Sequence, residues 1–284
     1  MKNIIALIAF ALGSLVYAQE VDMSIFENMN MRQIGPAGMS GRITCVDVVH
    51  KQPNTLYIGA ASGGVWKSTS GGTTWEAVGD TMATLNIGAL AIQQSNPSVI
   101  WVGTGEGNPR NSQSSGYGLF RSMDAGRTWD LIGLEETRNI HRILIHPDDP
   151  NTVWVGAQGP AWGDNPNRGV YKTTDGGKTW RLVLKGNEST GIGDLVIDPS
   201  NPNKLIANLW DFRREPWFFR SGGEGSGLYI SLDGGENWKK RTDEDGLPKG
   251  ELGRMGLAIA PSNPNRIYAK IEAKSNDLYR SDDG

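Results

Sequence analysis

A tryptophan hairpin recurs along this chain, and its spacing restricts the possible folds more than any other feature. Ser122 to Trp129 reads Ser-Met-Asp-Ala-Gly-Arg-Thr-Trp, and Thr173 to Trp180 reads Thr-Thr-Asp-Gly-Gly-Lys-Thr-Trp. Both fit Ser/Thr-x-Asp-x-Gly-x-Thr-Trp at every position. Ser231 to Trp238 departs only at Asn237, and Ser68 to Trp75 carries Ser70 where the carboxylate belongs. The tryptophans at 75, 129, 180 and 238 lie 54, 51 and 58 residues apart. Four short strands fit that period, which is the requirement of a propeller blade.

The rest of each repeat agrees. First strands read from Gly41, Asn86, Asn139, Gly191 and Gly253. Asn-Pro or Asp-Pro turns follow four of them, at 95–97, 148–151, 200–203 and 262–265. Proline fixes φ there while Asn or Asp caps nearby backbone donors. The sequence therefore predicts an all-β chain, a β-propeller of four-stranded blades. About four and a half blades are expected over residues 41–284, a truncated ring whose fifth hairpin opens at Ser281-Asp282-Asp283-Gly284. The 38 glycines and 14 prolines suit such a turn-rich chain.

The pattern resembles the Asp-box (BNR) repeats of sialidases, of xyloglucan-cleaving glycosidases and of the Vps10 domain in sortilin-type receptors. The sortilin/Vps10-like group is the closest likeness, through box spacing, Asn-Pro-Asn turns and strands such as Gly227-Leu228-Tyr229-Ile230-Ser231. The resemblance covers nearly the whole chain after residue 40. It implies a structural role for the box residues: Ser122, Asp124, Gly126 and Trp129, then Thr173, Asp175, Gly177 and Trp180, then Ser231, Asp233, Gly235 and Trp238. The carboxylate is expected to accept turn N–H groups, the glycine to supply positive φ, and the indole to pack beneath the turn.

Residues 1–18 have Lys2 followed by an apolar run from Ile4 to Val16, with Val16-Tyr17-Ala18 at a cleavage-site spacing. They read as a signal peptide, which predicts export to the periplasm, cell surface or medium and no membrane span in the mature chain. Residues 19–40 are an N-terminal segment in which Met31 to Pro36 is a candidate ring-closing strand. The formal charge of −3 gives no footprint for nucleic acid. Cys45 is the single cysteine, so no internal disulfide forms, and it reads as a small buried residue in a strand. The three histidines have no zinc-ligand spacing, and no cofactor or metal is expected.

In four-stranded blades the boxes occupy third-to-fourth turns, so second-to-third loops emerge on the opposite face. Those loops are the irregular part of this chain and the expected location of a site. Candidate binding residues for a protein, peptide or glycan are Arg110, Tyr117, Trp162, Arg168, Trp210, Arg213, Arg214, Trp217 and Arg220. The competing expectation is that the aromatic residues of 217–219 fold back and bury themselves.

Glycoside hydrolysis would need a pair of carboxylates, and Glu106, Asp164, Asp211 and Glu224 are the loop candidates. The family comparison counts against catalysis. No Arg-Ile-Pro precedes the first box, and Ala61 stands where xyloglucan-cleaving relatives place a catalytic Asp. The preferred expectation is therefore a recognition module; the alternative is a glycosidase or a carbohydrate-binding propeller.

Overall fold

The computed structural model describes Asp22, Ser24 and residues 42–284. The candidate signal peptide and the candidate ring-closing strand lie outside those residues. Of the N-terminal unit, the Ser24 amide donates to Asp22 Oδ1 at 2.9 Å. Everything that follows concerns the unit containing residues 42–284.

This unit is a β-propeller of five antiparallel sheets. Blade 1 is β1 (Ile43–Val48), β2 (Leu56–Ala60), β3 (Gly64–Ser68) and β4 (Glu76–Ala77). Blade 2 is β5 (Ile87–Ile92), β6 (Ile100–Thr104), β7 (Leu119–Ser122) and β8 (Asp130–Leu131). Blade 3 is β9 (Ile140–Ile145), β10 (Val153–Ala157), β11 (Gly169–Thr173) and β12 (Arg181–Leu184). Blade 4 is β13 (Thr190–Asp198), β14 (Asn201–Glu215), β16 (Gly227–Ser231) and β17 (Lys239–Arg241), with β15 (Phe218–Ser221) paired to the far end of β14. Blade 5 is β18 (Met255–Ala260), β19 (Asn263–Ile271) and β20 (Asp277–Ser281). The first strands of successive blades lie against one another, which puts them on the axis side.

Alternation along the strands builds a core between each pair of blades. A strand presents successive side chains to opposite faces. In β6, Ile100 and Val102 therefore join Tyr57 and Val65 of blade 1, whereas Trp101 turns to Val153 and Val155 of blade 3. In β10, Trp154 turns the other way, onto Leu205, Ala207 and Leu209 of blade 4. Ile206 then meets Met255, Ile267 and Ile271 of blade 5. Middle strands buried on both faces must read as unbroken apolar runs, as Ile-Trp-Val and Val-Trp-Val do. Burying each such side chain contributes about 1.5–3 kcal/mol.

The hairpins bind themselves and their neighbours. Asp124 Oδ1 accepts from the Thr128 amide at 2.9 Å and Oδ2 from Thr128 Oγ1 at 2.7 Å. Ser122 Oγ accepts from the Gly126 amide at 2.8 Å. Asp175 and Asp233 repeat this, with Asn237 Nδ2 replacing the threonine hydroxyl at 2.8 Å. In the first hairpin Ser70 Oγ takes the Thr74 amide at 2.8 Å, so a neutral hydroxyl keeps the bond without the charge. Gly126 has φ 91° and sits against Val78 of blade 1, where any side chain would be both strained and crowded.

The indoles do more than tuck beneath their own turns. Trp129 Nε1 donates to Val78 O of blade 1 at 2.7 Å, and Trp180 Nε1 to Ile132 O of blade 2 at 3.0 Å. Trp180 also meets Trp101 edge-on, with ring centroids 6.4 Å apart. Each of these hairpins thus clasps the preceding blade. At the corresponding place between blades 4 and 5 lies a groove of about 350 Å³, lined by Leu228, Ile230, Leu247, Ile267 and Tyr279.

Two expectations need adjusting. Asn201 to Asn203 begin β14 and Asn263 to Asn265 begin β19 rather than forming turns, because the chain reverses tightly enough for Asp198 to pair with Asn201 and Ala260 with Asn263. The fourth second-to-third connection is not a loop: β14 continues past Trp210 and pairs with β15 from Phe212↔Ser221 to Glu215↔Phe218. Cys45 packs with the core between blades 1 and 2, and burial pushes its thiol up to about 11.

Two outcomes follow for stability. Hydrogen bonds from the Thr128 amide and hydroxyl hold Asp124 down at about 2. A depressed carboxylate stabilises the fold above its unfolded value near 3.8 and loses that contribution as pH falls towards 2. Urea midpoints measured between pH 5 and 2 should fall across that window, less steeply in Asp124→Asn. Trp154→Ala should cost about 3–5 kcal/mol in the same assay.

Candidate functional site

The second-to-third connections of blades 2, 3 and 4 emerge on one face and are stitched together. Gln113 Nε2 donates to Glu106 O at 2.8 Å while its Oε1 accepts from the Ala161 amide at 3.2 Å. The Arg214 amide donates to Ala161 O at 2.8 Å, joining the blade 4 hairpin to the blade 3 loop. A continuous rim results.

Of the predicted binding residues, some face solvent and some build the rim. Trp217, at the hairpin tip, is 86% exposed, and Phe218, Tyr117 and Trp162 are also exposed. Arg110 is exposed and its side chain has no partner among the described residues. Phe219 folds back, meeting Trp210 at 6.0 Å, so self-burial holds for Phe219 and not for Trp217 or Phe218. Trp210 is buried and stacks on Phe212 at 4.4 Å.

Arg168 is fully buried, which sets it apart from the solvent-facing candidates. Its Nη1 donates to Gln158 O and its Nη2 to Gly163 O, both at 2.8 Å, and its guanidinium lies 5.0 Å from the Phe212 ring. Burial and the nearby Arg213 lower it to about 10, so it remains charged at neutral pH. It fixes the loop that displays Trp162. Arg214 lies over Phe219 at 5.0 Å.

The carboxylates are mostly spoken for. Glu106 is fully buried and held by both Nε and Nη2 of Arg42. Asp164 pairs with Arg213. Asp211 accepts Arg220 Nη1 at 2.9 Å and Ser189 Oγ at 2.7 Å. Burial would raise Asp211, but the Ser189 and Arg220 bonds outweigh it and hold the carboxyl below its usual range. Glu224 is exposed. Among the described residues no group of His, Cys, Asp or Glu could hold a metal ion. No helix among them is long and apolar enough to cross a membrane.

A network missed by the sequence reading lies beneath this rim. Arg254, entering β18, donates Nη1 to Asn108 Oδ1 of the blade 2 loop at 3.0 Å. Its Nη2 lies 2.9 Å from His141 Nε2 on β9, and its guanidinium lies 5.1 Å from the Trp210 ring. Trp210 Nε1 donates to Ser221 Oγ at 2.9 Å, and Ser221 Oγ donates to Glu272, which also accepts the Arg254 amide at 2.9 Å. One guanidinium therefore ties blades 2, 3, 4 and 5. Arginine only donates, so His141 Nε2 must be the unprotonated acceptor. Burial, Arg142 and Arg254 together lower His141 well below its ordinary value. Gly107 is required opposite the ring, since a Cβ there would lie 2.0 Å from His141 Nδ1.

The model of the Sortilin-Vps10 family (sortilin, neurotensin receptor 3) matches residues 63–192 and 117–277. The class is thus a Vps10-type propeller, and the chain belongs to the Sortilin-Vps10 family. It is 25% identical over 283 residues to the xyloglucanase Xgh74A of Acetivibrio thermocellus, covering 82% of this chain and 30% of that one. It is 28% identical over 102 residues to vacuolar protein sorting/targeting protein 10 of Pyricularia oryzae, covering 35% and 6%. The crystal structure of an ancestral GH74 enzyme superimposes with a TM-score of 0.63 at 23% identity, covering 84% of this chain and 30% of that one, a likeness of fold. The chain spans less than a third of these relatives' lengths: 30%, 6% and 30%.

The network makes a pH prediction. A lowered histidine stabilises the fold above its unfolded value of about 6.5 and loses that contribution as pH falls below it. Arg254→Met keeps the stem over Trp210 but removes the donors and one neighbouring charge. NMR titration should show His141 titrating at higher pH in this variant than in the wild type, with about 1–3 kcal/mol lost in stability.

Proposed function

We propose that this chain is an exported recognition propeller that binds a protein or peptide on the rim of second-to-third connections, without catalysing a reaction. Trp217 and Phe218 at the hairpin tip, with Tyr117 and Trp162 alongside, are its contact residues. Arg110 and the ion-paired Arg213 and Arg220 provide polar edges. Arg168, Trp210 and Arg214 position the loops from below. Exposed Trp and Tyr on a rigid scaffold suit recognition, since few rotamers are lost on binding, and Arg adds planar hydrogen-bond donors.

One observation carries this reading over hydrolysis. Three of the four candidate carboxylates are committed to arginines, and Asp211 is held below its usual range. A general acid needs the opposite, a carboxyl raised towards neutral pH. Export rests on the leader-like residues 1–18 and is part of the same proposal.

Carbohydrate binding or hydrolysis is the second reading, favoured by the similarity to xyloglucanases and by aromatic side chains able to stack on sugar rings. A peptide display library and a glycan panel, both screened against the intact protein, decide between the readings. Peptide capture reduced on the order of tenfold or more by Trp217→Ala, with no glycan turned over, is the expected result. Hydrolysis abolished by Asp164→Asn or Glu224→Gln would replace the proposal with an enzyme.

A further inference from the structure

On the axis side, between the first strands of blades 3, 4 and 5, lies a cavity of about 400 Å³. Its polar lining is Arg142, Asp194, Arg254, Lys270, Glu272 and Asn276. Three cations and two carboxylates leave one positive charge in excess, but the distribution of hydrogen bonds matters more than the count.

Both carboxylates accept hydrogen bonds from within the protein. Asp194 accepts Arg142 Nε at 2.7 Å and the amides of Leu195 and Leu257, each at 2.8 Å. The last two bonds order β13 and β18, so this carboxylate holds blade 5 against blade 4. Glu272 accepts Ser221 Oγ and the Arg254 amide, both at Oε2, and its Oε1 has no partner among the described residues. Asn276 Oδ1 takes the Ala273 amide at 3.1 Å. Asp194 is thus committed to Arg142 and two amides, whereas Glu272 keeps one oxygen free.

The cations are only partly spent. Arg142 gives Nε to Asp194 and Nη1 to His141 O at 2.9 Å, leaving Nη2 without a partner among the described residues. Lys270 is exposed on β19, and its ammonium has no partner among the described residues. Arg254 spends its donors on Asn108 and His141. His141, wedged against Arg142 and Arg254, cannot add an acceptor towards the cavity, because its Nε2 already faces Arg254. Two cationic groups, Arg142 Nη2 and the Lys270 ammonium, therefore stand uncommitted against one carboxylate oxygen, Glu272 Oε1. A solvent-reachable cavity with spare guanidinium and ammonium donors and one positive charge in excess suits an oxyanion.

We infer that this cavity binds an oxyanion group, a carboxylate or a sulfate, between Arg142 and Lys270. The site is separate from the aromatic rim, and none of the loop residues picked from the sequence lines it. A guanidinium Nη2 and an ammonium together supply donors to two oxygens of one group. Asp194 positions Arg142 by holding its Nε.

Sodium sulfate and N-acetylglutamate are the two probes, titrated separately into the full chain at low ionic strength and followed by amide chemical shifts. Saturable shifts at Gly193, Gly256 and Lys270 are expected for at least one, and the tighter probe identifies the ester or the carboxylate as the source. Lys270→Glu changes an exposed residue and should weaken binding on the order of tenfold or more, a difference of about 1.4 kcal/mol. Lys270→Arg should retain binding, and added sodium chloride should weaken it. Trp217→Ala should leave it unchanged, so loss of rim recognition and loss of this site read out separately. No saturable shift with either probe, or equal binding in Lys270→Glu, overturns the inference.

Discussion

Each blade of this propeller has two faces to bury, and the structure depends on burying both. An isolated four-stranded sheet with apolar residues on each side would expose one set to water. Stacking blades solves this by making every core a joint product of two neighbours. The same arithmetic explains Trp101 of blade 2 and Trp154 of blade 3, which sit at matching strand positions and fill successive gaps. It also explains Ile43 and Val46, the most exposed apolar residues of β1. They occupy places that Ile87 and Leu90 fill in β5, where blade 1 covers them.

The hairpins convert that packing into a directional clasp. A carboxylate or hydroxyl closes each turn, and the indole following it reaches back to a carbonyl of the preceding blade in blades 2 and 3. Where the Asp is replaced, at Ser70, the turn keeps its shape, which separates geometry from charge: closing the turn requires an acceptor, not an anion. Because one face is occupied with holding the blades together, variation accumulates on the other. The rim has one loop of minimal length at 61–63, two ordered loops, and a twisted hairpin that carries Trp217 furthest into solvent.

Much of this was legible in the sequence because repetition makes it so. A period near 54 residues with a fixed tryptophan specifies blade, turn and face together, and the carboxylates of Asp124, Asp175 and Asp233 each accept a turn amide. The β14–β15 hairpin was not legible. Trp210 to Glu224 has neither clean alternation nor a glycine at its tip, and its pairing rests on Trp210 and Phe212 burying against Ala161 of another blade. The roles of Arg168 and Glu106 were equally hidden, since a charged loop residue reads as exposed until a carbonyl cage or a partner such as Arg42 is known. The Arg254 network is the extreme case. Asn108, His141, Trp210 and Arg254 come from four blades, and 113 residues separate His141 from Arg254, so no local signal links them. His146, by contrast, acts locally: it caps its turn by accepting the Asp148 and Asp149 amides.

The central claim is that tryptophan hairpins clasp successive blades while the opposite rim stays free to vary. Hydrogen exchange of the full chain, resolved by residue, tests it most directly. The amides of Gly126, Thr128, Gly177 and Thr179 should exchange as slowly as those of β5, β9 and β13, while Trp217 at the hairpin tip exchanges fastest. Hairpin amides that exchange as freely as the rim would mean that the turns hang loose from the sheets, and the account would be wrong.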